Sequence, residues 1–342
     1  MIKIAINGFG RIGRLAFRRA YESGKFEVVA INDLFNAKTL AYLLKYDSVH
    51  KSWEKDDISY DENKNVLIYK NKEIPVLGQK DPHDLKWGNY GVDIVLECTG
   101  RFKGKNDAQV HIDNGAKAVI ISAPSDKETP TYVYGVNTDN LTSDQKIISG
   151  ASCTTNCLAP ICKVLCDNFG IKAGYMLTVH AFTNDQTTLD LAKKDLRRGR
   201  AAASNIVPTT TGAAKAIHLV IPELEGKLKG DALRVPVADG SLVVLSLFLN
   251  KKTTVHEIND AMKHASENEL KEVLSYNSDE IVSSDIIGNT SGSIFDATQT
   301  TVFDTPEGMQ MVKITSWYDN EYSYTCQFIR LAEKMAKILK IE

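Results

Sequence analysis

The chain has 342 residues, of which 25% are charged and 43% are apolar or aromatic, and its formal net charge is -2. This length suggests two domains, and the near-neutral charge argues against a dedicated nucleic-acid or membrane-surface binder, which needs a strong basic excess. No stretch approaches the roughly 18 consecutive apolar residues of a membrane span. Because patterned sequence begins at Met1, we expect no signal or transit peptide.

The first 150 residues alternate short apolar runs with helical patterns. Strands that alternate with helices predict a mostly parallel sheet that is covered on both faces. We therefore expect residues 1–150 to form one α/β domain of the Rossmann type. Strands are predicted at 2–6, 26–31, 66–69, 73–76, 92–97, 118–122 and 132–135, and helices at 11–23, 37–46 and 107–114.

After Gly150 the pattern changes to longer strands without strict alternation, which predicts an α+β catalytic domain with a mostly antiparallel sheet at 151–316. The residues 183–205 are polar and basic and show no periodicity. An amphipathic helix in 317–342 is expected to pack back on the first domain. Helices are predicted at 153–169, 212–220, 255–265 and 269–276, and strands at 172–182, 242–249, 299–303 and 309–316.

A glycine motif follows the first predicted strand and opens the first predicted helix. Gly8, Gly10 and Gly13 form G-x-G-x-x-G, which in this context bares backbone N–H groups and points a helix N-terminus at a pyrophosphate. A purely structural glycine turn is the alternative. Asp33, at the end of the second strand, is placed to accept the ribose hydroxyls. Its carboxylate would repel a 2'-phosphate, so NAD is favoured over NADP.

One of the six cysteines lies where chemistry is expected. Cys153 opens the helix at 153–169, and a thiol at a helix N-terminus is expected to have a lowered pKa. It is the candidate nucleophile, with a buried structural thiol as the alternative. A cysteine nucleophile needs an imidazole base. His180, near the end of the strand at 172–182, is the candidate, although a strand histidine is more often structural.

The remaining cysteines show no pattern of a metal site. At about 100° per residue, Cys157 lies near Cys153 on the helix, whereas Cys162 and Cys166 lie on the opposite side. Four thiols on two faces cannot converge on one metal, and we predict no metal. Unpaired thiols also favour a reduced, cytoplasmic compartment.

Four stretches together resemble the phosphorylating glyceraldehyde-3-phosphate dehydrogenase family. They are N-G-F-G-R-I-G-R at 7–14, S-C-T-T-N-C at 152–157, His180, and S-W-Y-D-N-E at 316–321. The resemblance implies that Cys153 attacks the aldehyde carbon of glyceraldehyde 3-phosphate. His180 would take the hydroxyl proton as hydride passes to NAD, and inorganic phosphate would cleave the thioester to give 1,3-bisphosphoglycerate, a step of glycolysis.

The resemblance also implies binding residues and an assembly. Subunits of a homotetramer would place the basic stretch at 193–200 beside a neighbour's cofactor. Ala192, where NAD-specific members usually have proline, leaves the extent of NADP use open. NAD contacts are implied for Gly8, Gly10, Arg11, Ile12, Gly13, Asp33, Lys80, Thr99, Ser122 and Asn320. The substrate phosphate site is implied for Thr183, Asp185 and Arg234, and the attacking phosphate site for Ser152, Thr154, Arg198, Thr211 and Gly212.

Two other functions stay open at this point. Erythrose-4-phosphate dehydrogenase is a close relative that hydrolyses its thioester instead of phosphorylating it. A binding protein for nucleic acid or cell-surface partners, in which the catalytic residues are incidental, is the alternative of a different class. The near-neutral charge gives that second alternative no support as a primary function.

Overall fold

The computed structural model describes residues 1–341, which form two compact units. The first unit contains Met1–Tyr132, Thr138–Ala151 and the chain from Phe328 onward, and the second contains Val133–Asn137 and Ser152–Gln327. Within residues 1–341, no helix is long and apolar enough to cross a membrane.

The strands of the first unit are β1 Ile2–Asn7, β2 Phe26–Asn32, β3 Ile58–Asp61, β4 Val66–Tyr69, β5 Lys72–Pro75, β6 Ile94–Glu97, β7 Ala118–Ile121 and β8 Ile147–Ser149, and the helices are α1 Arg11–Ser23, α2 Ala37–Lys45 and α3 Lys105–Asp113. Five strands form a wholly parallel sheet in the order β2-β1-β6-β7-β8. Buried apolar runs in β1, β6 and β7 explain why this parallel sheet forms the core of the unit. A separate antiparallel sheet of three strands has the order β3-β4-β5.

The strands of the second unit are β9 Ile171–Ala181, β10 Val207–Thr210, β11 Leu228–Val235, β12 Ser241–Leu249, β13 Leu274–Asn277, β14 Ser293–Asp296, β15 Thr301–Asp304 and β16 Gln310–Tyr318, and its helices are α4 Cys153–Phe169, α5 Ala213–Ala216 and α6 Val255–Glu267. These strands form an eight-stranded, mostly antiparallel sheet in the order β10-β11-β9-β12-β16-β14-β13, with β15 paired to β16. The helix α4 packs on β9, β12, β14 and β16. The last helix, α7 Tyr322–Ile338, begins in the second unit and belongs to the first unit from Phe328 onward.

The predicted fold class is confirmed, because the first unit has a wholly parallel sheet of the Rossmann type and the second has a mostly antiparallel sheet. Two predicted elements are wrong. The helix at 269–276 is instead a turn, with Glu272 at φ 69°, followed by β13, which pairs in parallel with the distant β14. The strand at 132–135 does not form, because residues 134–137 make a turn in which Gly135 has φ 75°. At 269–276, pairing with a strand that is distant in sequence overrides the local helical pattern. At 132–135, a glycine in the left-handed region overrides the strand pattern.

Candidate active site

The glycine motif forms the turn between β1 and α1. Gly8 has φ 91°, and a Cβ added there would lie 2.7 Å from the backbone nitrogen of Thr99. A Cβ on Gly13 would lie 2.1 Å from the carbonyl oxygen of Gly8, whereas one on Gly10 meets nothing within 4 Å. The first and third glycines therefore allow close packing, and the second leaves the backbone open to a ligand, as the dinucleotide-binding turn requires.

A cavity of about 260 Å³ lies at the carboxyl edge of the parallel sheet, beside this turn. Crevices at this edge are where α/β sheets bind nucleotides. The predicted residues Gly8, Gly10, Asp33, Lys80 and Thr99 line it. The other lining residues are Asn7, Asn32, Leu34, Phe35, Gln79, Pro82, Leu85, Cys98, Arg101 and Phe102.

Asp33 is held in place by the two loops that border this cavity. Its Oδ2 accepts the backbone N–H of Phe9 at 2.8 Å, and its Oδ1 accepts that of Phe35 at 3.1 Å. A carboxylate fixed in this way offers its remaining lone pairs to hydroxyl donors without reorganising. The orientation fits the ribose-binding role predicted for Asp33.

Arg11 and Ser122 do not line this cavity. The guanidinium of Arg11 pairs with Asp47. Burial raises the pKa of that carboxyl, but Arg11 and the backbone N–H groups of His50 and Val49 together bring it down to about 2. The backbone N–H of Ser122 donates to the Glu97 carbonyl at 2.9 Å. Both residues were predicted as NAD contacts, and those two roles stay predictions.

The candidate nucleophile and base meet in the second unit. Cys153 is the first residue of α4, which Ser152 caps by accepting the Thr155 N–H at 3.0 Å. His180 lies near the end of β9, and its Nε2 is 3.4 Å from Cys153 Sγ. The structure therefore brings together the two side chains that the sequence assigned to a thiol and its base.

Two neighbours contact Nδ1 of His180. The carbonyl oxygen of Ala181 lies 2.7 Å away and accepts a proton carried on Nδ1, whereas Nη1 of Arg234 lies 2.8 Å away and donates to Nδ1 when it carries no proton. The same Arg234 nitrogen also donates to the Ala181 carbonyl at 3.1 Å. Burial, then the positive charge of Arg234, lowers the pKa of His180 to about 4.

The pKa of Cys153 corrects one expectation. Burial raises the pKa of the thiol, and the charge of Arg234 and the hydrogen bonds from Thr154 offset only part of that rise. The lowered pKa expected from the helix N-terminus alone is therefore wrong, because desolvation of a thiolate outweighs those favourable contacts here. The geometry supports proton transfer from the thiol to His180 instead of a freely exposed thiolate.

Sequence reasoning assigned no role to Tyr318, which is fully buried beside this pair. Its hydroxyl lies 2.9 Å from Thr154 Oγ1 and 2.8 Å from Thr178 Oγ1, and its ring makes an edge contact with His180. Strand alternation from Ser316 was a signal that this side chain faces inward. The Thr154 hydroxyl, predicted to hold phosphate, is engaged with Tyr318.

Asn320 is fixed by a short chain of hydrogen bonds in the same unit. The backbone N–H of Ala181 donates to Ser241 Oγ at 3.0 Å, and Ser241 Oγ donates to Asn320 Oδ1 at 2.6 Å. With its oxygen engaged, the amide of Asn320 has its N–H₂ group as the available donor end.

The predicted phosphate residues fall into two groups. Asp185 accepts hydrogen bonds from Thr183 and Arg198, and Arg198 also donates from Nε to Thr209 at 3.0 Å. Burial raises the pKa of Asp185, but Thr183 and the nearby cations bring it below its usual value. Thr211 instead accepts the N–H of Ala213 at 3.2 Å and, with Gly212, leads into α5.

Known proteins match nearly the whole chain. Residues 2–105 match the family model "Glyceraldehyde 3-phosphate dehydrogenase, NAD binding domain", and residues 152–320 match "Glyceraldehyde 3-phosphate dehydrogenase, C-terminal domain". The chain is 53% identical to glyceraldehyde-3-phosphate dehydrogenase of Clostridium pasteurianum, over 99% of this chain and 100% of the relative. The chain belongs to the glyceraldehyde-3-phosphate dehydrogenase family.

Two further relatives of this family have a similar sequence identity to the chain. The protein from Geobacillus stearothermophilus is 53% identical, and glyceraldehyde-3-phosphate dehydrogenase 1 of Bacillus subtilis strain 168 is 52% identical, each over 98% of both chains. As a glyceraldehyde-3-phosphate dehydrogenase family member, the chain is an NAD-dependent oxidoreductase. The glycine turn and the braced Asp33 fit that cofactor.

Proposed function

We propose that the chain catalyses the phosphorylating oxidation of glyceraldehyde 3-phosphate to 1,3-bisphosphoglycerate. The observation that carries this proposal is the 3.4 Å approach of Cys153 Sγ to His180 Nε2 at the start of α4. The family supports the substrate, because the curated relatives are named for its oxidation. A covalent route through a thioester requires at least that the nucleophile and its base are in contact.

The two side chains divide the proton and bond changes between them. The Cys153 thiol passes its proton to His180 Nε2 as the sulfur forms a bond to the aldehyde carbon. Nε2 then hands this proton to the carbonyl oxygen and is left free to accept again. The resulting thiohemiacetal gives its hydroxyl proton to Nε2 while hydride leaves the same carbon. NAD supplies the hydride acceptor when it is bound. Phosphate then attacks the thioester carbon, and the sulfur leaves as thiolate.

His180 is neutral near pH 7. A pKa of about 4 leaves the imidazole unprotonated and able to accept a proton, but it also makes His180 a weaker base than an ordinary histidine. The Nδ1 contact with the Ala181 carbonyl holds the ring in the orientation that aims Nε2 at Cys153. The base is therefore preorganised before substrate arrives.

Cationic and hydroxyl side chains near this pair support binding of two phosphates. Arg234 is directly behind His180, and Arg198 is held by Asp185 and Thr209. Forked guanidinium groups match phosphate oxygens in geometry. We assign Thr183, Asp185 and Arg234 to the substrate phosphate, and Ser152, Thr154, Arg198, Thr211 and Gly212 to the attacking phosphate.

We also propose a cytoplasmic homotetramer in which residues 1–150 bind NAD and 151–316 carry the catalytic residues. A self-association surface is supported by one sheet face of the second unit, where apolar side chains remain half-exposed. Contiguous apolar surface of this kind marks interaction sites. The side chains are Leu177, Val179, Leu242, Val244, Phe248 and Trp317, and Leu189, Leu191 and Leu196 are exposed in the 183–205 segment.

The test is NADH formation with the aldehyde in the presence and absence of phosphate or arsenate. We expect turnover to need one of these anions, because they release the acyl group from Cys153. Full-rate turnover without either would contradict the proposal and favour the hydrolytic erythrose-4-phosphate reaction. The same assay run with both aldehydes separates the two substrates.

A further inference from the structure

A buried carboxylate lies beneath the nucleotide cavity of the first unit. Glu97, the last residue of β6, is 1% exposed, and each of its oxygens accepts two hydrogen bonds. Its Oε1 accepts the backbone N–H of Thr99 at 2.8 Å and the hydroxyl of the same residue. Its Oε2 accepts Asn7 Nδ2 at 2.6 Å and His111 Nε2 at 3.1 Å. One side chain thus joins the ends of β1 and β6 to α3.

The donor on α3 is fixed by a second buried contact. His111 is fully buried, and its Nδ1 accepts the indole N–H of Trp87 at 3.0 Å. Because Nδ1 accepts, the ring proton belongs on Nε2, which donates to Glu97. The histidine therefore presents one defined donor to the carboxylate.

The chain of contacts continues to the second loop of the cavity. Asn7 Oδ1 accepts Asn32 Nδ2 at 2.8 Å, and Asn32 Oδ1 accepts the backbone N–H of Gln79 at 2.8 Å. Asn7, Asn32, Gln79 and Thr99 all line the cavity. Glu97 does not line the cavity itself, but hydrogen bonds connect it to three segments that do.

Thr99 is in contact with the glycine turn, so its position affects the geometry of that turn. A Cβ on Gly8 would lie 2.7 Å from the nitrogen of Thr99, so the turn and this peptide are in close contact. The hydrogen on that nitrogen points to Glu97. The carboxylate of Glu97 therefore fixes the position of the Thr99 backbone, against which the glycine turn packs.

We propose that Glu97 is a positioning residue for NAD, which keeps the glycine turn and the Thr99 loop in their cofactor-binding geometry. Glutamine at this position has the same shape but replaces one acceptor oxygen with a donor. It cannot accept all four hydrogen bonds, so the two donors that faced the replaced oxygen are left facing another donor. The inference rests on NAD binding alone, and would survive the failure of the phosphate step proposed above.

The experiment compares Glu97→Gln with a matched control at the opposite edge of the same strands. Asp93, just before β6, is 6% exposed; it accepts the backbone N–H of Lys3 in β1 at 2.9 Å and pairs with Lys117 at 2.7 Å. Asp93→Asn disturbs the same strand pair far from the turn. Calorimetric titration of each full-length variant with NAD, without aldehyde or phosphate, gives the dissociation constant, and thermal unfolding of the cofactor-free chain reports stability.

We expect Glu97→Gln to raise the NAD dissociation constant about tenfold, the equivalent of one charge-assisted hydrogen bond. Asp93→Asn should change it less than about twofold, even at a similar loss of thermal stability. Hydrogen exchange at the Thr99 amide should also accelerate in Glu97→Gln and not in Asp93→Asn. An unchanged dissociation constant in Glu97→Gln, or equal losses in both variants, would overturn the proposal.

A second pair covers the case in which Glu97→Gln does not fold. His111→Gln keeps a donor for the carboxylate, whereas His111→Leu removes it. We expect the leucine variant to bind NAD about threefold more weakly than the glutamine variant. Equal NAD affinities in this pair would contradict a positioning role for the carboxylate.

Discussion

Arg234 places a guanidinium nitrogen 2.8 Å from Nδ1 of His180, so a fixed positive charge lies behind the imidazole that faces Cys153. A positive charge favours the deprotonated form of every neighbouring acid. Burial is the larger cause of the lowered pKa of His180, and the charge of Arg234 lowers this pKa further. The same charge offsets part of the rise that burial causes in the pKa of Cys153. Arg234 thus adjusts nucleophile and base in the same direction.

Removing this charge should therefore raise both pKa values. We expect Arg234→Gln to shift the titration of His180 upward from about 4 and to move the pH dependence of Cys153 alkylation to higher pH. Carbon-13 labelled histidine, followed by NMR, reports the first shift, and alkylation rates report the second. Arg200→Gln is the control, since Arg200 pairs with Asp190 at the surface. A fall in either pKa in Arg234→Gln would contradict this account.

The lowered pKa of His180 also predicts a pH-dependent stability. The unfolded chain takes up a proton near the ordinary value of 6.5, whereas the folded chain takes it up only near 4. The contribution of neutral His180 is therefore complete above pH 6.5 and is lost as the pH falls toward 4, by up to about 3 kcal/mol in the free energy of unfolding.

Urea unfolding at several pH values, with and without this histidine, measures that contribution. We expect His180→Asn to lose less stability than the parent chain between about pH 7 and pH 5. His256→Asn is the control, because that histidine is exposed on α6. Identical slopes in the parent chain and His180→Asn would show that the imidazole has an ordinary pKa in the fold.

Cys153 should be the first of the six cysteines to react with iodoacetamide. Cys157, Cys162 and Cys326 are buried. Burial raises the pKa of Cys98 well above its usual value and that of Cys166 to about 12. Cys153 is partly exposed and has a base at 3.4 Å. Peptide mapping after brief labelling identifies the site, with Cys153→Ser as the control. Faster modification of Cys166 would show that exposure alone, and not the contact with His180, sets reactivity.

The hydroxyl of Tyr318 joins two threonines beneath the catalytic pair. Tyr318→Phe keeps the ring that contacts His180 but removes the hydrogen bonds to Thr154 and Thr178. We expect the free energy of unfolding to fall by about 1 to 3 kcal/mol, because buried hydroxyls lose a partner. Tyr175→Phe, whose hydroxyl is at the surface with Asp231, should cost under about 1 kcal/mol. Equal losses in a denaturant titration would contradict the buried network.

Local sequence patterns predicted much of the fold and the central contact of the site. α1 and α4 begin and end at the predicted residues, because the glycine turn and the Ser152 cap define their starts and Gly24 and Gly170 follow their ends. β11 was not predicted, since its alternation is weak and its place depends on pairing with β9 and β10. Strand pairing over long sequence distances is not encoded in a short window.

The electrostatics of the site could not be predicted in the same way. The helix N-terminus suggested a lowered pKa for Cys153, but burial raises it, and burial depends on the complete fold. The contact of Arg234 with His180 follows from the parallel register of β11 and β9, which places the two residues side by side. The Glu97 network likewise needs β1, β6 and α3 in place before its donors meet.

The most direct test of the central claim is the mass of the chain after mixing with glyceraldehyde 3-phosphate and NAD in the absence of phosphate and arsenate. We predict one acyl group on Cys153, about one NADH released per chain, and further turnover only when phosphate is added. Continuous NADH formation without phosphate, or an acyl group on any residue other than Cys153, would contradict the assignment of nucleophile and reaction.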